Sequence, residues 1–172
     1  MTDTLTLSKL IVLYMLDKVD FTLTNSQISE FVLDKGYTNY FVLQQAFSEL
    51  ENAEFVTSST IRNSSHYAIT DEGRHSIEYF GKNISRDIRD EIDQFMNENR
   101  YQLREANEIV ADYYQEKPDL FIVQCQIKEK GQMLVNLQLS VTSEHQAITI
   151  CDNWHKKNSE FYNQLVMTLF LK

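Results

Sequence analysis

Cations are missing from one long stretch of this chain: between Gly36 and Ile61 there is no Lys and no Arg. Affinity for a polyanion rests largely on neutralising phosphates, so any nucleic-acid role there is limited to a few placed contacts. Cysteine is scarce as well. Cys125 and Cys151 have no CxxC spacing and no partner cluster, which excludes a disulfide framework and points to reduced thiols in the cytoplasm. Met1-Thr2-Asp3-Thr4 lacks the basic start of a signal peptide. The longest apolar run, Leu10 to Leu16, is far short of the about 20 residues that cross a bilayer, so no membrane partner is expected. The single Pro and four Gly imply long elements and short connections. Glycines at 36, 73, 81 and 131 leave no room for a dinucleotide fingerprint, and neither HExxH nor GxSxG occurs. An enzyme is therefore not expected, nor a cofactor.

What is present is ordinary globular composition. The 172 residues are 42% hydrophobic and 24% charged, with 10 Phe and 9 Tyr for an aromatic-rich core. The net charge is −9. Residues 1–80 hold 5 Lys+Arg against 11 Asp+Glu, and residues 81–172 hold 11 against 14. The N-terminal half is thus the more acidic one.

Periodicity organises that half. Lys9 to Lys18 is apolar almost all round, which predicts a helix buried on more than one side. Ser8 is its expected cap. Thr24, Asn25 and Ser26 offer caps for a second helix, and Gly36 ends it. Thr38 is the expected cap of a third helix running to Ala53, with Leu43, Ala46, Phe47 and Leu50 facing inward. Phe55 to Ser58 reads as a strand, Arg62 to Ser65 as a polar hairpin tip, and His66 to Ile69 as the return strand. Thr70 then caps a fourth helix, Asp71 to Phe80. Gly73 inside its first turn costs about 1 kcal/mol against Ala, so close packing against the ribbon is expected there.

Gly81-Lys82-Asn83 reads as a domain junction, dividing the chain into 1–80 and 81–172. Ile84, Ile88, Ile92 and Phe95, then Leu103, Ala106, Val110 and Tyr113, hold helical spacing up to Pro118, interrupted at Asn97–Arg100, which reads either as one long helix with a polar waist or as two helices with a tight turn. The period then changes to two over Phe121–Ile127 and Met133–Val141, joined by a turn at Lys130-Gly131. Ala147 to Cys151 reads as a third strand and Asp152 as the cap of a last helix. The fold class is α+β: an N-terminal winged helix-turn-helix and a C-terminal domain of helices packed on a three-stranded antiparallel sheet.

Phe47-Ser48-Glu49-Leu50-Glu51-Asn52-Ala53-Glu54-Phe55-Val56 and Tyr67-Ala68-Ile69-Thr70-Asp71-Glu72-Gly73-Arg74 carry a resemblance. With these residues the first 80 positions resemble the winged-helix transcriptional regulators, in particular the PadR-like and MarR-like groups. The whole chain is also similar to a bacterial family of unknown function that joins such a domain to a C-terminal α+β domain. Cys151-Asp152-Asn153-Trp154 and the strand at Phe121–Val123 behind a long helix carry that match. The resemblance implies a DNA-binding architecture and supplies no catalytic residue. It departs from those regulators in the helix around Gln44–Ser48, which has no Lys or Arg.

The candidate DNA-reading residues are Thr38, Asn39, Tyr40, Gln44 and Gln45 on the third helix, with Arg62, Asn63 and His66 on the hairpin. Asn and Gln amides pair with adenine edges, and Tyr reaches phosphate. A symmetric operator demands a two-fold protein, so a homodimer is expected, through the Lys9–Lys18 helix or the helices after Ser85. The alternative is a protein-interaction module without DNA binding. Trp154, Tyr113, Tyr114 and Phe161 are candidates for a small-molecule effector pocket, set against a plain aromatic core. Cys125, Cys151, His145 and His155 fit no zinc pattern, and no metal is expected. Asp87, Asp90, Glu91 and Asp93 stand among Arg86 and Arg89 as a salt-bridged helix face.

Overall fold

A computed structural model describes residues 3–172. The chain is α+β and forms two compact units, residues 1–107 and 108–172. Among the described residues no helix is long and apolar enough to cross a membrane.

The first unit is built around helix α1 (Thr4–Asp17). Asp3 caps it, its carboxylate accepting from the Thr6 amide at 2.9 Å. Leu10, Ile11, Val12, Leu13, Met15 and Leu16 are all buried. The unit's own core accounts for the all-round apolar character of this helix. Asp3 also displaces Ser8 as the cap. Ser8 sits one turn inside, its hydroxyl bonded back to the Thr4 carbonyl at 2.7 Å.

Strand β1 (Leu23–Thr24) leads into helix α2 (Asn25–Asp34). Thr24 and Gln27 form a full capping box, each side chain closing the other residue's backbone N–H. Gly36, at φ +73°, ends the connection, a left-handed conformation that glycine adopts without strain. Helix α3 (Tyr40–Asn52) buries Leu43, Ala46, Phe47 and Leu50, as its periodicity requires. Its cap is Asn39, which accepts from the Val42 amide at 3.0 Å.

Strands β2 (Val56–Ile61) and β3 (Ser64–Ile69) follow, with Val56 opposite Ile69. The loop is the two residues Arg62 and Asn63, at φ +47° and +64°. Positive φ at both positions matches the right-handed twist of the strands it joins. β1 pairs with β3, giving an antiparallel sheet of order β1-β3-β2. The ring of Tyr67 in β3 stacks on Phe47 of α3, centroids 4.5 Å apart. Helix α4 (Asp71–Phe80) is capped by Thr70, and the expected close packing of Gly73 is present against Phe55 and Ile69.

The expected junction at Gly81–Asn83 is a short 3-10 turn, not a boundary. Ile84 is fully buried, and helix α5 (Arg86–Glu108) adds Ile92, Met96 and Leu103 to the same core as α1. That burial moves the division of the chain to Asn107/Glu108. On α5, Asp93 accepts from the Tyr14 hydroxyl at 2.8 Å and Glu91 accepts from that of Tyr37. Arg86 faces Asp90 at 3.9 Å.

The second unit is an antiparallel sheet of order β4-β5-β6 covered by one helix. Its strands are β4 (Ile109–Lys117), β5 (Leu120–Glu129) and β6 (Gln132–Val141). Lys130 and Gly131, both at positive φ, make the expected β5–β6 turn. Two expectations fail here. Val110 and Tyr113 belong to a strand, not to a continuing helix. Ala147–Cys151 lies inside helix α6 (Glu144–Phe170), capped by Ser143 and not by Asp152. Ala147, Cys151, Trp154 and Asn158 recur at three- and four-residue steps on its buried side, a helical stripe that outweighs the β-branched residues between them.

Candidate nucleic-acid interface

Helix α3 separates its residues by depth. Its inward stripe is buried, while the outward side of its first two turns stands in solvent. Asn39 is exposed and committed to capping. Tyr40 is 54% exposed and Phe41 81% exposed, their rings edge-on at 5.8 Å. Gln45 is exposed, and its amide donates to Glu49 at 3.1 Å. Glu49 also accepts from Lys9 at 2.9 Å. These bonds, Lys9 first and Gln45 second, hold the Glu49 carboxyl below its ordinary range.

One candidate on the helix has a structural duty, and another stands before its cap. Gln44 is half-buried and exchanges two amide bonds with Asn25, at 2.8 and 3.2 Å, which tie α3 to α2. The Thr38 hydroxyl is buried and, among the described residues, has no hydrogen-bond partner. Asn39 takes the capping role because it sits one residue closer to the first helical turn.

The hairpin candidates also divide. Arg62 and Asn63 form its tip, Arg62 partly buried and Asn63 exposed. Six residues of β2 carry that tip about 20 Å from the strand's start. His66 is buried and cannot reach a base edge. Its Nδ1 lies 3.0 Å from Oδ1 of Asn107. Asn107 also accepts from the Thr22 hydroxyl at 3.1 Å, and donates to Gln27 at 2.9 Å and to the Leu103 carbonyl at 2.7 Å. Full satisfaction of such groups is what makes their burial tolerable. His66 thus belongs to an internal network that joins β3, α2 and α5.

Phe41 is the residue that sequence reasoning passed over. Its spacing puts it off the core face, and an aromatic ring there has nothing inside to pack on. The exposed residues further along α3, its exit and the hairpin include Thr57, Ser58, Ser59, Thr60 and the acids Glu51 and Glu54.

In the second unit Trp154 is buried, and its indole N–H donates to the Gln126 carbonyl at 3.2 Å. Phe161 meets its ring edge-on at 5.5 Å. Tyr113 donates to Glu144 at 3.0 Å, and Tyr114 points to the sheet's other face and is exposed. Trp154 and Tyr113 pack with the sheet–helix core. Cys125 and Cys151 are buried in that core, and burial, then Cys151, pushes the Cys125 thiol up to about 11. Among the described residues no group of three or more His, Cys, Asp or Glu is placed to hold a metal ion.

No curated protein and no solved structure matches this chain. The family model for a domain of unknown function, DUF4364, matches residues 8–169. That span is nearly the whole chain, and the protein belongs to the DUF4364 family.

Proposed function

We propose that this protein is a DNA-binding transcriptional regulator that acts as a homodimer, with Thr4–Phe80 serving as a winged helix-turn-helix. The observation that carries this reading is the outward face of α3's first two turns. The element order supports it: two helices, a hairpin on a two-residue turn, and a closing helix. In this reading the start of α3 enters the major groove. Gln45 offers its amide to an adenine edge, Phe41 meets a thymine methyl and Tyr40 donates to a phosphate. Arg62 and Asn63 reach the backbone or the minor groove. His66 and Gln44 hold the scaffold.

A second reading has its own support. The exposed Tyr40–Phe41 pair lies on a helix without a cation, whose later turns carry Glu49 and Glu51. Aromatic residues without basic neighbours suit a protein partner better than a phosphate backbone. Fluorescence anisotropy with mixed-sequence duplex separates the two readings, run from about 25 to 200 mM salt. DNA binding requires affinity that falls with salt. Arg62→Gly, which suits the positive φ of that position, should lower the salt slope by about one. No binding at the lowest salt would leave the protein-partner reading.

A further inference from the structure

Strand β6 ends the second sheet with an unblunted edge. The order is β4-β5-β6, and among the described residues no strand pairs with the outer side of β6. Such an edge presents a row of backbone N–H and C=O groups, and proteins guard it with charges, proline or a bulge. The opposite edge is guarded in this way. β4 carries Asp112, Glu116 and Lys117, and its register shifts between Gln115 and Lys117. β6 has no charged residue and no proline from Gln132 to Val141. Its register against β5 shifts only beside the turn, at Ile127/Lys128, and is regular from Val135 to Val141.

We infer that β6 pairs with β6 of a second copy, antiparallel across a two-fold axis at Gln138, so that two sheets join into one. This deepens the dimeric part of the proposed function, rests on that part and is independent of DNA. The pattern of the strand selects the occupant. Val135-Asn136-Leu137-Gln138-Leu139-Ser140-Val141 has the same character read from either end. A two-fold axis at Gln138 sets Val135 opposite Val141, Asn136 opposite Ser140 and Leu137 opposite Leu139. Opposed residues of an antiparallel pair share a face. The four apolar residues lie beside Ile127, Cys125, Val123 and Phe121 of β5, on the face that packs with α6. Asn136, Gln138 and Ser140 lie on the other face. Apolar therefore meets apolar and polar meets polar, the self-matching form of an isologous contact. No other register pairs the whole of Val135–Val141 with itself, and a one-residue slip sets apolar against polar throughout. Charge agrees, since two chains of −9 each repel and β6 is an uncharged strip. Leu139, 39% exposed, is covered by Leu137 of the second copy. The pairing closes about six to eight backbone hydrogen bonds, close to the about ten of a typical interface.

Sedimentation velocity of the full chain, without DNA, tests this separately from duplex binding. Only at the two-fold axis does a residue face its own counterpart. Gln138 is exposed, so substitutions there should leave the far-ultraviolet circular dichroism unchanged. Wild type should sediment as a dimer. Gln138→Lys alone and Gln138→Glu alone should each weaken the dimer about tenfold or more, because each sets like charges face to face. Mixing the two variants in equal amounts should restore dimers, each holding one chain of either kind. A monomeric wild type would overturn the pairing together with the dimeric part of the proposed function. A dimer that either substitution leaves unweakened, or that the equal mixture fails to restore, would overturn the pairing alone.

Discussion

Gly73 lies against the Phe55 carbonyl: a Cβ at Gly73 would stand 2.2 Å from that oxygen and 2.8 Å from Cγ1 of Ile69. The same carbonyl accepts from the Thr70 amide at 3.0 Å, and the Thr70 hydroxyl donates to the Glu54 carbonyl at 2.7 Å. The exit of α3, the start of β2 and the start of α4 are therefore fastened at one point. Backbone sits there, so relief by side-chain rotation is not available.

Gly73→Ala should destabilise the protein. Helix propensity favours Ala by about 1 kcal/mol, but forcing a methyl onto backbone costs about 1–3 kcal/mol, and a 2.2 Å approach lies at the severe end. A net loss of about 2 kcal/mol in urea unfolding is expected. Gly81→Ala is the control. Its Cβ would meet only Ile77 at 3.8 Å, at φ −59°, so that change should be neutral or stabilising by up to about 1 kcal/mol. Equal effects from the two substitutions would contradict the packing described.

Tyr37 should ionise late. Burial, then its bond to Glu91, raises the phenol above its ordinary value near 10. The folded state therefore keeps a proton that the unfolded chain has lost. This contribution to stability is whole below pH 10 and is lost as pH rises through the folded value. Tyr14 shifts in the same direction, by burial and by Asp93. Absorbance titration at 295 nm should show a late-ionising component among the nine tyrosines, reduced by Tyr37→Phe. A single step near pH 10 in the folded protein would contradict it.

Cys125 and Cys151 should resist thiol reagents while the protein is folded. Both are buried at about 1% exposure or less, and the raised value of the Cys125 thiol keeps its nucleophilic thiolate scarce. Ellman titration should count both thiols promptly in denaturant and register them slowly in buffer. Rapid native labelling would mean that α6 opens from the sheet.

The elements that could be read from sequence were those whose local signals agreed. The Thr70 cap with Asp71 and Glu72 behind it, the Gly36 stop and the Lys130-Gly131 turn each rest on local backbone chemistry, and each is found. Misreadings arose where one short stretch fitted two periods. Val110 and Tyr113 continue a helical spacing from Leu103. Ile109, Ala111 and Tyr113 also alternate, and pairing with β5 decides for the strand. Ala147–Cys151 is rich in β-branched residues, and only the stripe that continues to Trp154 and Asn158 marks it as helix. The candidate site was half legible. Exposure of Asn39, Tyr40 and Gln45 follows from the helical period. Burial of His66 depends on Asn107, 41 residues away, and no local pattern announces such a partner.

Amide shift mapping tests the central claim most directly: that the start of α3 and the hairpin tip read duplex DNA. With isotope-labelled protein and mixed-sequence duplex at low salt, the amides of Tyr40, Phe41, Gln45 and Asn63 should move first and most. Those on the buried stripe, Leu43 and Phe47, should follow only weakly. Saturating duplex that shifts no amide in α3 or the β2–β3 tip, or that shifts only residues of β6 and α6, would contradict it.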